Sequence, residues 1–202
     1  MFDNLSMNRL TSHRLAAAVV TGAALSLAAG LPAQAADPTV TEAQWLSDVA
    51  AVTGPAQTYI DGRVAANTSG AKLAIVLDID NTSLESHFEG GYPTPATPPV
   101  LALAKDAHGR GVSVFFVTAR VNLIDEATKY NLTTVGFTIN GLYSRSLFDL
   151  ASNVGDFKTA QRKKIEAAGY DIVANIGNSA TDLTGGYADQ TYKLPDYDGL
   201  LD

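Results

Sequence analysis

Five consecutive apolar residues, Leu73 to Leu77, run straight into Asp78, Ile79, Asp80, Asn81 and Thr82. A strand without polar alternation has both faces covered, as in the interior of a parallel sheet. A carboxylate at the end of such a strand is costly to bury unless it is paired or bound to a metal. The stretch is therefore either a turn, which Asx residues favour, or a site built around charge. A turn accounts for Asp80-Asn81-Thr82 but not for Asp78 at the very end of the strand.

Two further apolar runs follow, "VSVFFV" from Val112 and "YDIVANI" from Tyr170. Helical segments alternate with the strands. Thr41 and Gln44 form a capping-box signature at the head of "TEAQWLSDVAAVT", and Pro55 opens a second helical stretch that fades at "ANTSGA". "VLALAKDAHGRG" reads as a helix ending at Gly109. Asn122 caps another, running through "LIDEATKYNLTTV" to Gly136 at its C′ position, and "DFKTAQRKKIEAAG" is a helix closed by Gly169. The Gly- and Pro-rich "SHFEGGYPTPATPP" is irregular backbone. Strand–helix alternation with unbroken apolar strands predicts an α/β fold, a parallel sheet covered by helices on both faces. Ligands of such sheets bind at the carboxyl ends of the strands.

Residues 1–35 read as an export signal rather than as part of that fold. Arg9 and Arg14 precede the apolar run Leu15 to Leu31, and Ala33-Gln34-Ala35 is a small-residue cleavage pattern. The run is shorter than the ~20 residues of a spanning helix, and no adjacent arginine pair is present. The expectation is a secreted protein, extracellular or held in a wall or periplasmic space, with no membrane attachment after cleavage. Cleavage leaves residues 36–202 as one domain; losing Asp3, Arg9 and Arg14 moves its formal net charge from −7 to −8. An acidic domain offers no surface for nucleic acid or anionic membrane. The chain has no cysteine, which rules out disulfides, thiol catalysis and cysteine–zinc sites. His87 and His108 alone cannot build a histidine metal cluster.

Polar residues follow every strand: Asp78 and Asp80 the first, Thr118 and Arg120 the second, Asn178, Ser179 and Asp182 the third. Three such ends in one sheet point to a shared site. Phosphoryl transfer fits them. Asp78 is in line to attack phosphorus, and Asp80 can protonate the leaving oxygen and later deprotonate water. Two carboxylates in one site repel and need a counter-charge. Mg²⁺ is a hard cation suited to oxygen ligands, and Thr118 can hydrogen-bond phosphoryl oxygens.

These residues carry a family resemblance. "DIDNT" resembles the first motif, DxDxT, of haloacid dehalogenase-like (HAD) phosphatases; "VTAR", "FKTAQRKKIEAAGY" and "GNSATDL" resemble the second, third and fourth. "TKYNLTTVGF", "NIGNSATDLTGG" and "YKLPDYDGLL" are similar to the secreted class B-like acid phosphatases, a group that includes plant acid phosphatases and vegetative storage proteins. The resemblance implies a three-layer α/β/α sandwich with a Rossmann-like HAD sheet and a small cap, residues 83–98. It also implies an Mg²⁺-dependent phosphomonoesterase acting on a small-molecule phosphomonoester. Carried over by position, Asp78 is the nucleophile and Asp80 the general acid/base. Lys158 holds nucleophile and phosphate together, while Thr118, Ala119 and Arg120 bind substrate. Asp78, the Asp80 carbonyl, and Asn178 and Asp182 of the fourth loop hold the metal. One position departs from the pattern: the fourth motif of most relatives begins Gly-Asp, and here it is Gly177-Asn178. An asparagine offers a carbonyl oxygen but removes one negative charge.

Each of these residues also has a plainer role. Lys158 lies among Arg162, Lys163 and Lys164, where a solvated basic face is the default. Arg120 either touches substrate or pairs with a carboxylate. His87 reads as a surface histidine, Trp45 as packing, and Asp196 and Asp198 as solvated. Two rival functions remain open: a non-catalytic binding or storage protein on the same scaffold, which Asn178 favours and Asp78 opposes, and a phosphotransferase. The sequence does not address the oligomeric state.

Overall fold

The computed structural model of the protein describes residues 40–201; the export signal expected in residues 1–35 lies outside the described residues. Five strands, β1 (Lys72–Leu77), β2 (Ser113–Val121), β3 (Gly141–Arg145), β4 (Tyr170–Gly177) and β5 (Gln190–Lys193), form one sheet in the order β3-β2-β1-β4-β5. Every pairing is parallel. The three apolar runs are the three central strands. The edges β3 and β5 escape a reading by apolar runs because "GLYSR" and "QTYK" are short, polar and only partly covered.

The helices are α1 (Glu42–Ala66), α2 (Pro98–Gly109), α3 (Asp125–Thr134), α4 (Val154–Ala167) and the single turn α5 (Ala180–Leu183). Alternate side chains of a strand point to opposite faces. Leu73, Ile75 and Leu77 accordingly pack against Trp45 and Ile60 of α1 and Leu103 of α2, whereas Ala74 and Val76 meet Ile165 of α4. Three layers result, as expected.

Local details differ from the sequence expectation. Residues 42–66 are one helix with Pro55 inside it, not two. Trp45, Val49, Thr53, Ala56 and Ile60 form one buried stripe across the proline, and this packing outweighs the hydrogen bond that proline cannot donate. Only half of the capping box forms: Thr41 Oγ1 accepts from the Gln44 amide at 3.2 Å, but the Gln44 side chain donates forward to Asp48 at 2.8 Å. Asn122 starts a 3₁₀ turn, Asn122–Ile124, instead of capping a helix. Gly136 and Gly169 take φ of 103° and 88°, the left-handed conformation that ends α3 and α4.

Strand order reverses at β1, with β2 and β3 on one side and β4 and β5 on the other. The connections leaving β1 and β4 diverge there and open a crevice at their carboxyl ends. Among the described residues, no helix is long and apolar enough to cross a membrane.

Trp45 is fully buried, its ring 5.1 Å from that of Phe88, and its indole N–H has no hydrogen-bond partner. Trp45→Ala is expected to cost about 3–5 kcal/mol. Trp45→Phe deletes the unpaired donor and is expected to cost far less. Urea unfolding midpoints measure both; equal losses would show that the N–H carries no penalty.

Candidate active site

β1 and β4 set the position of Asp78. Its amide donates to Ile176 O at 3.0 Å, so the β1–β4 ladder continues one residue beyond β1. Lys158 on α4 meets it there, donating from Nζ to Asp78 Oδ1 at 2.6 Å and also to Asp182 Oδ1. All three side chains are buried. Asp182 is held in turn: its Oδ2 accepts from the Ser179 amide at 2.8 Å and closes the capping box of α5. Gly177 has no room for a side chain, because a Cβ would overlap the Asp182 carboxylate.

Two buried carboxylates share one ammonium, which leaves a net negative charge. Burial is the main force raising the Asp78 carboxyl to about 7; Lys158 pulls it down and Asp182 pushes it further up. Burial alone would lower Lys158, but the two carboxylates beside it outweigh that and hold it above the usual lysine value.

Asp80 has different surroundings. Arg120 grips both of its oxygens, Nε to Oδ2 at 2.8 Å and Nη2 to Oδ1 at 2.7 Å, and Ser86 Oγ donates to Oδ1 at 2.6 Å. Burial pushes the Asp80 carboxyl up, but the hydrogen bonds and charge of Arg120 prevail and hold it below the usual carboxylate range.

A cavity of about 260 Å³ opens over this charge cluster. Asp78, Asp80, Thr118, Ala119, Lys158, Asn178 and Asp182, all singled out from the sequence, line it. Arg120 is not among the lining residues; of its two expected roles the structure shows the pairing with a carboxylate. The solvated basic face is split: Lys163 and Lys164 are exposed, while Lys158 and Arg162 point inward. His87 is exposed and Trp45 is core. Asp198 is exposed, whereas Asp196 is half-buried and pairs with Lys193 at 2.7 Å.

Five contributors were missed in the sequence, among them Val154 and Thr181 in the lining of the cavity. Arg162, fully buried, donates Nη1 to Asp182 O at 2.6 Å and Nε to Gly186 O at 2.9 Å, supporting the fourth loop from beneath. Asn81 and Leu201 also line the cavity. Arg162 lies four residues after Lys158, on the same helical face, and that spacing was the available signal. Leu201 gave none. The proposed cap segment begins with buried Ser83, Leu84 and Glu85 and is tied down by single bridges, Asp80 with Leu84 and Leu84 with Ala96.

No group of three or more His, Asp or Glu side chains placed to hold a metal occurs among the described residues. The donor set still suits Mg²⁺, which is held by one or two carboxylates, completing its shell with waters and substrate phosphate oxygens. Asp78 and Asp182 could be those carboxylates, since when both are ionised they share a single ammonium and a cation would neutralise the remaining charge.

Sheet order and the charged crevice beside β1 are those of a doubly wound α/β protein. The profile of the HAD superfamily, subfamily IIIB (acid phosphatase), matches residues 89–200, and the chain belongs to that family. The match starts beyond Asp78 and Asp80. Among curated relatives, the Stem 28 kDa and Stem 31 kDa glycoproteins of Glycine max are each 30% identical over 141 residues, 67% of this chain. Vegetative storage protein 1 of Arabidopsis thaliana is 30% identical over 111 residues, 54% of this chain and 41% of its own length. The chain spans about half the length of the two stem glycoproteins, 56% and 48%. Among solved structures, the class C acid phosphatase from Bacillus anthracis superposes with a TM-score of 0.58 at 23% identity, over 72% of this chain and 67% of that one. This likeness concerns the fold.

With divalent cations stripped, the folded-state value of Asp78, about 7, lies above its unfolded ~3.9. Between those values the folded state keeps a proton that the unfolded state has released, so stability falls as pH rises from about 4 to 7. Asp80, held low, acts the other way: its contribution is complete above pH ~4 and is lost as pH falls through its folded value. Glu85, raised to about 7 by burial and then by Glu42 and Glu89, adds to the decline toward neutral pH. Asp78→Asn is expected to make that decline shallower in urea midpoints, leaving the share of Glu85. An unchanged decline would remove Asp78 as a source.

Proposed function

We propose that the protein is a secreted, Mg²⁺-dependent phosphomonoesterase acting through an aspartyl-phosphate on Asp78. The observation that carries this proposal is Lys158, buried between Asp78 and Asp182 at the carboxyl end of the central strand and facing a cavity large enough for a phosphate. Family membership supports phosphate-ester chemistry. The charge pattern at Arg9 and Arg14 with Ala33-Gln34-Ala35 supports export.

In the first step an Asp78 carboxylate oxygen attacks phosphorus, the bond to the leaving oxygen breaks, and Asp80 passes its proton to that oxygen. In the second, water attacks the same phosphorus, Asp80 takes the proton, and inorganic phosphate leaves with the Asp78 carboxylate restored. Thr118 and Lys158, which line the cavity, would donate to the phosphoryl oxygens and balance their charge. Mg²⁺, held by Asp78, the Asp80 carbonyl and the Asn178–Asp182 loop, would supply further positive charge against the phosphate. The pair with Arg120 keeps Asp80 ionised, the form the second step requires. The first step requires that pair to open as the leaving oxygen arrives.

Hydrolysis of p-nitrophenyl phosphate by residues 36–202 is expected to need Mg²⁺, to stop in EDTA and to be abolished by Asp78→Asn. Asp80→Asn is expected to lower kcat on the order of 10²–10⁴-fold. Turnover that survives Asp78→Asn would sink the aspartyl-phosphate. Arg120→Gln frees the Asp80 carboxyl to rise and should move the alkaline limb of kcat/KM to higher pH; an unmoved limb would show that Asp80 is not the acid.

A storage or binding role is the second reading, favoured by Asn178 and by the name of the Arabidopsis relative. It predicts no turnover with any divalent metal from acid to neutral pH. Added glycerol separates hydrolase from phosphotransferase through the appearance of glycerol phosphate.

A further inference from the structure

We infer that Asn178 is a positioning residue that clamps residues 194–201 across the pocket through the Leu201 carbonyl, making this segment a wall of the substrate site. The wall's role rests on the phosphatase proposal; the clamp itself does not.

Beyond β5 the chain turns back over the crevice. Leu194 is fully buried, and its amide donates to Gly177 O at 2.9 Å, directly before Asn178. Tyr197, Asp198 and Gly199 take φ of 51°, 57° and 87° in succession, a left-handed run that two non-glycine residues adopt only under constraint. One constraint is Tyr197 Oη, which donates to Asp48 Oδ2 on α1 at 2.7 Å. Another is the Leu201 amide, donating to Asp196 O at 3.1 Å. Leu201 itself is 1% exposed and lines the cavity beside Asp78 and Lys158.

The Leu201 carbonyl receives two amides, Asn81 Nδ2 at 2.7 Å and Asn178 Nδ2 at 2.8 Å. Asn81 belongs to the segment leaving β1 and Asn178 to the loop leaving β4, so the carbonyl bridges both sides of the crevice. Thr82 fixes which way Asn178 points. The Asn178 amide donates to Thr82 Oγ1 at 3.0 Å, so that hydroxyl is free to donate to Asn178 Oδ1 at 3.1 Å. Nδ2 is thereby directed at Leu201. A carbonyl oxygen only accepts, so its partner must donate. An aspartate at 178 would set a carboxylate against that oxygen and release it. The residue that departs from the DxDxT-family pattern is thus the one this wall requires: an amide hydrogen bond replaces one unit of negative charge toward the cation.

The test uses Asn178→Asp and Tyr197→Phe in residues 36–202, read by hydrogen exchange, by calorimetric titration with MgCl₂ alone, and by kinetics on p-nitrophenyl phosphate. Asn178→Asp is expected to speed exchange over residues 194–201 roughly tenfold while β1 and β4 stay protected, and to bind Mg²⁺ more tightly. Unchanged exchange over 194–201 with tighter Mg²⁺ would make Asn178 merely a weakened ligand and overturn the clamp. Tyr197→Phe loosens the same segment from outside the cavity, and it keeps the proposal testable if Asn178→Asp fails to fold. It is expected to speed exchange over 196–201 and raise KM severalfold at constant kcat. Faster exchange with an unmoved KM would overturn the wall. Faster exchange in Asn178→Asp, from a wild-type protein that hydrolyses nothing, would instead refute the phosphatase proposal and leave the clamp standing.

Discussion

A lysine ammonium buried between two carboxylates is the contact on which the remaining geometry depends. Removing three charges from water costs several kcal/mol per ion unless each finds its counter-charge at close range, so the elements that carry them have little freedom. Asp78 directly follows β1, Lys158 lies in the first turns of α4, and Asp182 sits in α5 after β4; the ion cluster draws all three to one point. Supporting contacts then become necessary. Gly177 must lack a side chain for Asp182 to pack over it, and Arg162 must reach from the same face of α4 to hold the carbonyls of the following loop. The Coulombic requirement of the site fixes the seating of the helix on the sheet, where α4 has few apolar side chains to do so.

That seating also shows where the sequence was informative. Three central strands could be read from their unbroken apolar runs, because strands buried on both faces leave no room for polar residues. Residues just beyond them could be read as a site because the topology places strand ends together. The inward face of α4 was harder to see: Phe157, Lys158, Gln161, Arg162 and Ile165 contain only two apolar side chains, so hydrophobic periodicity understates it and a basic surface is the natural expectation. Edge strands β3 and β5 were invisible for the opposite reason, since half-exposed strands need no apolar run. Pro55 misled because local propensity marks a break, whereas the stripe from Trp45 to Ile60 runs across it.

Asp78 and Asp80 lie two residues apart yet occupy opposite electrostatic states. Burial and a second carboxylate raise one, while a two-point arginine contact lowers the other. Environments that separate paired titratable groups are the usual basis for dividing roles between them. Here the separation has a specific consequence. On the proposed mechanism the nucleophile, Asp78, would be the group that needs positive charge to ionise, and the proton carrier, Asp80, the group that must first escape positive charge to load. A cation arriving with the phosphate ester would lower Asp78, and the leaving oxygen would take the place of Arg120 beside Asp80.

The same division of labour extends to the walls. Asp78, Asp80, Arg120, Lys158 and Asp182 all lie in β2, α4 or α5 or within three residues of β1. Part of the remaining boundary comes from Asn81 and Leu201, which lie outside the strands and helices. The Leu201 carbonyl is held there by two side-chain amides, those of Asn81 and Asn178. Under the proposed cation site and wall, position 178 would serve two demands that conflict, and a single side chain would not meet both: a donor excludes the charge, and the charge excludes the donor.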